Sequence, residues 1–272
     1  MGAHAQFIDG RRGKLFTLLR RPPRVPDPQC VIFVPPFAEE MNKTRKLLTE
    51  VAIELAAQGV ASLSVDLYGT GDSEGEFREA DWEVWKGDVI RSATWASEQG
   101  MRVTGILAVR LGCALAAEAA AGFAEPVVRT MFWQPVLDGE RYVTQFLRMR
   151  VAASMMRDRK ESVADLRAQI EGGSDLEVAG YELSRNLVRQ LDKVRLADGL
   201  HEKLGKLYWV EIVREADAPL PAPAVKAIER ARTVISDVNQ IRTVGEPFWA
   251  STEIVTNAEL VRQTLAAFLE ST

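Results

Sequence analysis

Side chains suited to acid–base, nucleophilic or metal chemistry are sparse in this sequence. Only two histidines occur, His4 and His201, and only two cysteines, Cys30 and Cys113. Each cysteine lies in apolar surroundings with no CxxC or Cys/His spacing, so reduced thiols are expected, not a disulfide or a zinc site. No metal and no cofactor is expected. The loop Asp66-Leu67-Tyr68-Gly69-Thr70-Gly71-Asp72-Ser73 joins glycines that permit tight turns to an aspartate that can accept backbone hydrogen bonds. It holds no paired acid and base, so its part reads as structural. The bases on offer are carboxylates: Glu39 and Glu40, which follow Val34-Pro35-Pro36-Phe37-Ala38, and Asp217 in Glu215-Ala216-Asp217-Ala218-Pro219. A carboxylate of ordinary pKa is a poor base at neutrality, and a nearby arginine lowers it further.

The elements that must position these residues follow from the apolar pattern. With 47% hydrophobic and 26% charged residues, the 272-residue chain suits one large domain with an insertion. A net charge of -4 without a basic stripe excludes nucleic acid as a partner. No uncharged apolar stretch of ~18 residues is present, so membrane insertion is not expected. Met1 to Gly10 lacks an apolar signal region, which gives a cytoplasmic expectation. Phe7 to Asp9 and Leu15 to Leu19 flank a Gly-bounded turn and read as a hairpin. The run Cys30 to Val34 reads as a strand buried on both faces, and Arg45 to Gly59 as an amphipathic helix closed by its glycine. Strands at 60–65, 103–109 and 127–133 then alternate with helices at 82–98 and 112–121, the pattern of a parallel sheet with helices on both faces. The fold class is α/β. Residues 138–199 carry charged helical segments, Arg157 to Glu171 and Tyr181 to Val194, with no convincing strand, and read as a helical cap inserted in a core of 1–137 and 200–272. Strands at 207–213 and 238–244 and helices at 224–232 and 257–269 complete the core.

This order of elements resembles the α/β-hydrolase fold, and the Asp66–Ser73 loop is similar to the DxxGxGxS loop of that superfamily. In Ile106-Leu107-Ala108-Val109-Arg110-Leu111-Gly112-Cys113 a strand runs into a helix where the superfamily places its GxSxG nucleophile elbow. Ala108, Arg110 and Gly112 match Gly, Ser and Gly, so the nucleophile position holds an arginine. A guanidinium stays charged at every ordinary pH and has no lone pair to attack with. Reading Cys113 as the nucleophile would put Leu111 and Leu115 at the glycine positions, so it is taken as a small core residue. The base position falls on Phe248 in Gly245-Glu246-Pro247-Phe248-Trp249; His4 is expected in a mobile terminus and His201 at the junction of cap and sheet. Asp217 matches the acid position, where a loop cap or ion-pair role is favoured over catalysis. Backbone N–H groups near Phe37 or Ala38, with that of Leu111, could form an anion-binding pocket at the start of the elbow helix. Glu39 and Glu40 either pair with Arg110 there or are solvated loop carboxylates.

The combination of PPFAEEMNKTR, VRLG, FWQPVLDGERYVTQFLRMR and GEPFWASTEI resembles the exosortase A system-associated hydrolase 2 family, found in bacteria that make exopolysaccharide and sort PEP-CTERM proteins. The resemblance spans nearly the whole chain and implies a link to exopolysaccharide or surface-protein export. It implies no reaction, because the hydrolase name follows fold. Three functions stay open. The first is a catalytically silent or nearly silent protein that binds an acyl, ester or saccharide-linked ligand, with Arg110 suited to a carboxylate or phosphate. In that reading Trp133, Gln134, Trp249 and Glu253, at or just past strand C-terminal ends, line the pocket, the alternative for the two tryptophans being packing between cap and core. The second is a hydrolase or acyltransferase using carboxylate-activated water, and the third an assembly protein whose cap meets an export-system partner.

Overall fold

The computed structural model describes residues 2–23, 25–155, 161–251 and 253–270. β1 (Ala3–Asp9) and β2 (Lys14–Arg20) form the expected hairpin, and β2 runs antiparallel to β4 (Ala61–Val65). His4 is therefore held in a strand opposite Leu19, which corrects the expectation of a mobile terminus. From β4 the sheet continues in parallel through β3 (Gln29–Val34), β5 (Arg102–Val109), β6 (Arg129–Trp133), β9 (Lys206–Val213) and β10 (Val238–Val244), giving the order β1-β2-β4-β3-β5-β6-β9-β10. The central strands are buried over almost their whole length, as a strand covered on both faces must be. α1 (Glu39–Ala57) and α9 (Ala258–Leu269) cover one face through Leu47, Val51, Leu55, Leu260 and Phe268. α2 (Trp82–Glu98), α3 (Gly112–Ala120) and α8 (Ala222–Arg232) cover the other.

α1 starts at Glu39, earlier than the expected Arg45. Two carboxylates in its first turn suit the positive end of the helix dipole, and the N–H groups of Glu40 and Met41 close turns onto the carbonyls of Phe37 and Ala38. This places Glu39 and Glu40 on a rigid helix, not on a loop.

Residues 139–199 pack as α4 (Gly139–Met155), α5 (Val163–Glu171), a two-stranded hairpin of β7 (Leu176–Val178) and β8 (Tyr181–Leu183), α6 (Arg185–Leu191) and α7 (Leu196–Gly199). The hairpin corrects the expectation of an all-helical insertion. Ala179 and Gly180 both take positive φ, 52° and 86°, as a two-residue hairpin turn demands. Tyr181 thus opens a strand, and the helix expected from it begins only at Arg185, capped by Ser184. Of the helix expected from Arg157, residues 157–160 lie outside the described ones; α5 begins at Val163 behind a Ser162/Asp165 capping box. Among the described residues no helix is long and apolar enough to cross a membrane.

Candidate functional site

The C-terminal edge of the parallel strands is where the backbone is strained. Four described non-glycine residues have positive φ, and three of them follow neighbouring strands: Ala38 after β3 (50°), Arg110 after β5 (55°) and Gln134 after β6 (47°). The turn at Arg110 is fixed by backbone bonds: its N–H donates to the Trp133 carbonyl at 2.9 Å, and its carbonyl accepts from Cys113 at 3.1 Å and Val136 at 3.2 Å. Close packing explains the small residue at position 112, since a Cβ there would collide with the Pro35 carbonyl oxygen. The result is a sharp strand-to-helix elbow that lifts the Arg110 side chain off the sheet.

That side chain is fully engaged on one edge. Nε and Nη2 both donate to Glu40 Oε1 at 3.3 Å, Nη1 donates to the Gln134 carbonyl at 3.1 Å, and the guanidinium carbon lies 4.5 Å from the centre of the Trp249 ring. Gln134 is itself held from below. Its Nε2 donates to Glu211 Oε2 at 2.8 Å and its Oε1 accepts the Ile212 N–H at 2.6 Å, while Glu211 Oε1 takes the Trp209 indole N–H at 2.8 Å. Around Arg110 a cleft of about 320 Å³ opens between crest and cap, walled by Glu39, Glu40 and Lys43 of α1, Tyr142, Phe146 and Met149 of α4, and Trp249. Burial pushes the Glu40 carboxyl up, against the pull of Arg110 and Lys43. Glu40 Oε2 is buried and accepts no hydrogen bond among the described residues, and the Glu40 carboxyl interacts with the Tyr142 phenol, which burial and Glu40 together hold well above its usual range. Burial also pushes Glu211 up. Lys43 pairs with Glu39 at 3.7 Å, so the cleft is close to charge-balanced. Among the described residues no cluster of three or more His, Cys, Asp or Glu could hold a metal ion.

No protein-family model and no curated protein matches the sequence. Solved structures do. Est1E from Butyrivibrio proteoclasticus, with ferulic acid bound, superposes with a TM-score of 0.70 at 18% identity, over 97% of this chain and 98% of that one. The α/β-hydrolase GrgF from Penicillium sp. sh18 gives 0.63 at 14% identity over 97% of each chain. The esterase domain of a Rhodothermus marinus protein gives 0.60 at 14% identity over 99% of this chain and 96% of that one. The chain has the α/β-hydrolase fold.

At the elbow of this α/β-hydrolase fold, then, stands Arg110. Phe248, at the position matched to the base, is fully buried, with its ring edge-on to Trp133 at 6.0 Å and to Trp249 at 5.1 Å. Neither histidine reaches the cleft: His201 Nε2 donates to the Ala117 carbonyl at 2.9 Å and its Nδ1 accepts from Lys203, while His4 sits in edge strand β1. Asp217, matched to the acid, is exposed and makes no hydrogen bond or ion pair among the described residues. The expected pocket residues divide. Arg110, Glu39, Glu40 and Trp249 share the cleft, whereas Phe37, Ala38 and Leu111 line a separate apolar pocket with Trp82, Trp85 and Tyr181. Trp133 is a core residue, fully buried, its indole N–H donating to Thr264 at 3.1 Å, so it forms no ligand wall. Glu253 is exposed outside the cleft. Gln134 acts from behind, by holding Arg110. The sequence reading missed Glu211 and Tyr142. Glu211 had a signal, a lone carboxylate inside the apolar run Leu207 to Val213. Tyr142, on an amphipathic cap helix, had none.

Proposed function

We propose that this α/β-hydrolase-fold protein binds a small acyl, ester or saccharide-linked molecule in the cleft under its cap and runs little or no serine-hydrolase chemistry. One observation carries the reading: the strained elbow is kept, and the side chain it presents is a guanidinium tied to Glu40, Gln134 and Trp249 with no imidazole in reach. Without an oxygen or sulfur nucleophile at the crest no acyl-enzyme forms there. The cleft has the size of a small-ligand site and mixes aromatic walls with a few convergent polar groups. The ferulic acid in Est1E supports an organic carboxyl compound as the ligand class. The motifs PPFAEEMNKTR, VRLG and GEPFWASTEI support membership of the exosortase A system-associated hydrolase 2 family, and with it a cytoplasmic role in exopolysaccharide or surface-protein export. The test is a panel of p-nitrophenyl esters and acyl thioesters on wild type and Arg110→Ala. Background rates in both are expected; turnover that falls with the substitution refutes the reading. Mass spectrometry of small molecules co-purifying with the protein identifies the ligand.

A second reading has one observation in its favour. An arginine neighbour was expected to lower any carboxylate base, yet Glu40 is raised because burial outweighs Arg110. Glu40 would then draw a proton from water attacking an ester or thioester polarised by Arg110. Turnover abolished by Glu40→Gln in the same assays would select it.

A further inference from the structure

Of the five N–H donors of a guanidinium, Arg110 uses three within the protein: Nε, one on Nη2 and one on Nη1. Among the described residues one donor on each terminal nitrogen is left unengaged, and the cleft that Arg110 lines is also walled by the less polar side chains of Tyr142, Phe146, Met149 and Trp249. Paired donors on a guanidinium fit the two oxygens of a carboxylate, and the ring and thioether walls fit an organic tail. Charge balance complicates this match. The groups facing Glu40 are Glu39 and Lys43 on its own helix, Arg110 on the elbow and Tyr142 on the cap. Lys43 is taken by Glu39 and Arg110 by Glu40, so the cations of the cleft are already matched. Adding a ligand carboxylate would place two anions on one guanidinium away from bulk water, and two carboxylates sharing a site do not both ionise.

We propose that the cleft binds a monocarboxylate together with one proton: the ligand's carboxylate takes the two unengaged donors of Arg110, and Glu40 accepts the proton at Oε2. This rests on the ligand-binding reading above and names its ligand class. The proton comes from solvent, no covalent bond changes, and the complex regains the charge of the free cleft. Oε2 is the atom prepared for it, because it is buried and accepts no hydrogen bond among the described residues; the Glu40 carboxyl also interacts with the Tyr142 phenol, whose oxygen can accept from a protonated Glu40. Binding therefore consumes a proton and weakens as pH rises.

The experiment is isothermal titration of the full-length protein with 3-phenylpropanoate and, as neutral counterpart, 3-phenylpropanamide, at pH 7 in two buffers of different ionisation enthalpy. Uptake of about one proton per carboxylate bound is expected, with affinity falling about tenfold per pH unit across the titrating range. Glu40→Gln, which keeps the side-chain shape but cannot titrate, should bind the carboxylate with no uptake and a flat pH profile, and Arg110→Met should not bind it. If Glu40→Gln does not fold, the buffer dependence of the wild-type enthalpy still decides. Carboxylate binding without uptake overturns the coupling yet leaves the cleft a ligand site. Binding of the amide but not the carboxylate overturns the ligand class, again leaving a ligand site. If neither binds, the inference falls, and the co-purification test judges the broader reading.

Discussion

Asp88, in the middle of α2, lends itself to a quantitative test. Its side chain is fully buried, Oδ2 accepts the Tyr68 N–H at 2.9 Å and Oδ1 accepts nothing among the described residues. Burial pushes its carboxyl up to about 7 from an ordinary 3.8, assisted by Asp81 and opposed by the Tyr68 hydrogen bond and Arg12. The folded state thus holds the proton more tightly than the unfolded chain. Stability from this group is full below about pH 4, falls as pH rises toward about 7 and is flat above that. About three pH units at ~1.4 kcal/mol each make the total cost of ionising it about 4 kcal/mol. Asp88→Asn escapes that cost. It keeps an acceptor for Tyr68 but buries an amide group without a partner, at about 1–3 kcal/mol. The variant should therefore be about 1–3 kcal/mol more stable than wild type at pH 8 and no more stable at pH 5. Urea unfolding of both proteins at the two pH values measures this, since effects common to both cancel in the difference. The difference should change by about 3 kcal/mol, two pH units of the titrating window. A wild-type-to-variant gap identical at pH 5 and pH 8 refutes the assignment of Asp88 as a buried, proton-binding carboxyl.

Three further outcomes follow from the crest and the core. Arg110→Ser should create no esterase, because Phe248 and not a histidine stands at the base position; a burst of p-nitrophenol with the variant would contradict this. Gly112→Ala should lower Tm by about 2–10 °C, as the added Cβ drives against the Pro35 carbonyl, which differential scanning calorimetry reads directly. Cys30 and Cys113 are both fully buried, and burial pushes Cys30 up to about 12 and Cys113 well above its usual range. Neither should react with a thiol reagent in the native protein at pH 7.5, and both should react in urea; fast native labelling would be the contrary result.

The sheet was legible because a parallel strand covered on both faces leaves a continuous apolar run, as Cys30 to Val34 and Val103 to Val109 do. β10, from Val238 to Val244, was found at its exact limits, and so was α2, whose Asp81 cap precedes an amphipathic run. The cap was less legible. A three-residue strand such as Tyr181–Leu183 is too short to show alternation, and its hairpin turn uses Ala179 at positive φ where a sequence reading looks for Asn or Asp. In the site, the elbow and the Glu40–Arg110 pairing could be anticipated from local motifs. The division of the pocket residues between two cavities could not, because it depends on where α4 lies over the crest. Nor could the upward push on Glu40, which reflects the depth of burial in the folded chain and not the identity of its charged neighbour.

An elbow strained for a nucleophile it does not have calls for a reason other than catalysis. Gly112 supplies it: β5 and α3 pass so close to Pro35 that the chain must turn sharply at position 110 whatever side chain stands there. A non-glycine residue at φ 55° costs on the order of 1–3 kcal/mol. The three hydrogen bonds of the Arg110 side chain and its stacking on Trp249, at about 1 kcal/mol each for groups only slightly exposed, can offset that cost. Together these contacts reach three separate elements, α1 and the end of β6 by hydrogen bonds to Glu40 and Gln134, and the loop after β10 by the ring of Trp249. The guanidinium therefore ties these three elements together around the elbow. Two of its donors are unengaged by the described residues, and Arg110 lines a cleft walled by cap helix α4. A ligand that takes those donors must touch crest and cap at once. Its binding should show as slower hydrogen exchange along α4, and exchange unchanged there in the presence of bound carboxylate would separate the cleft from the cap.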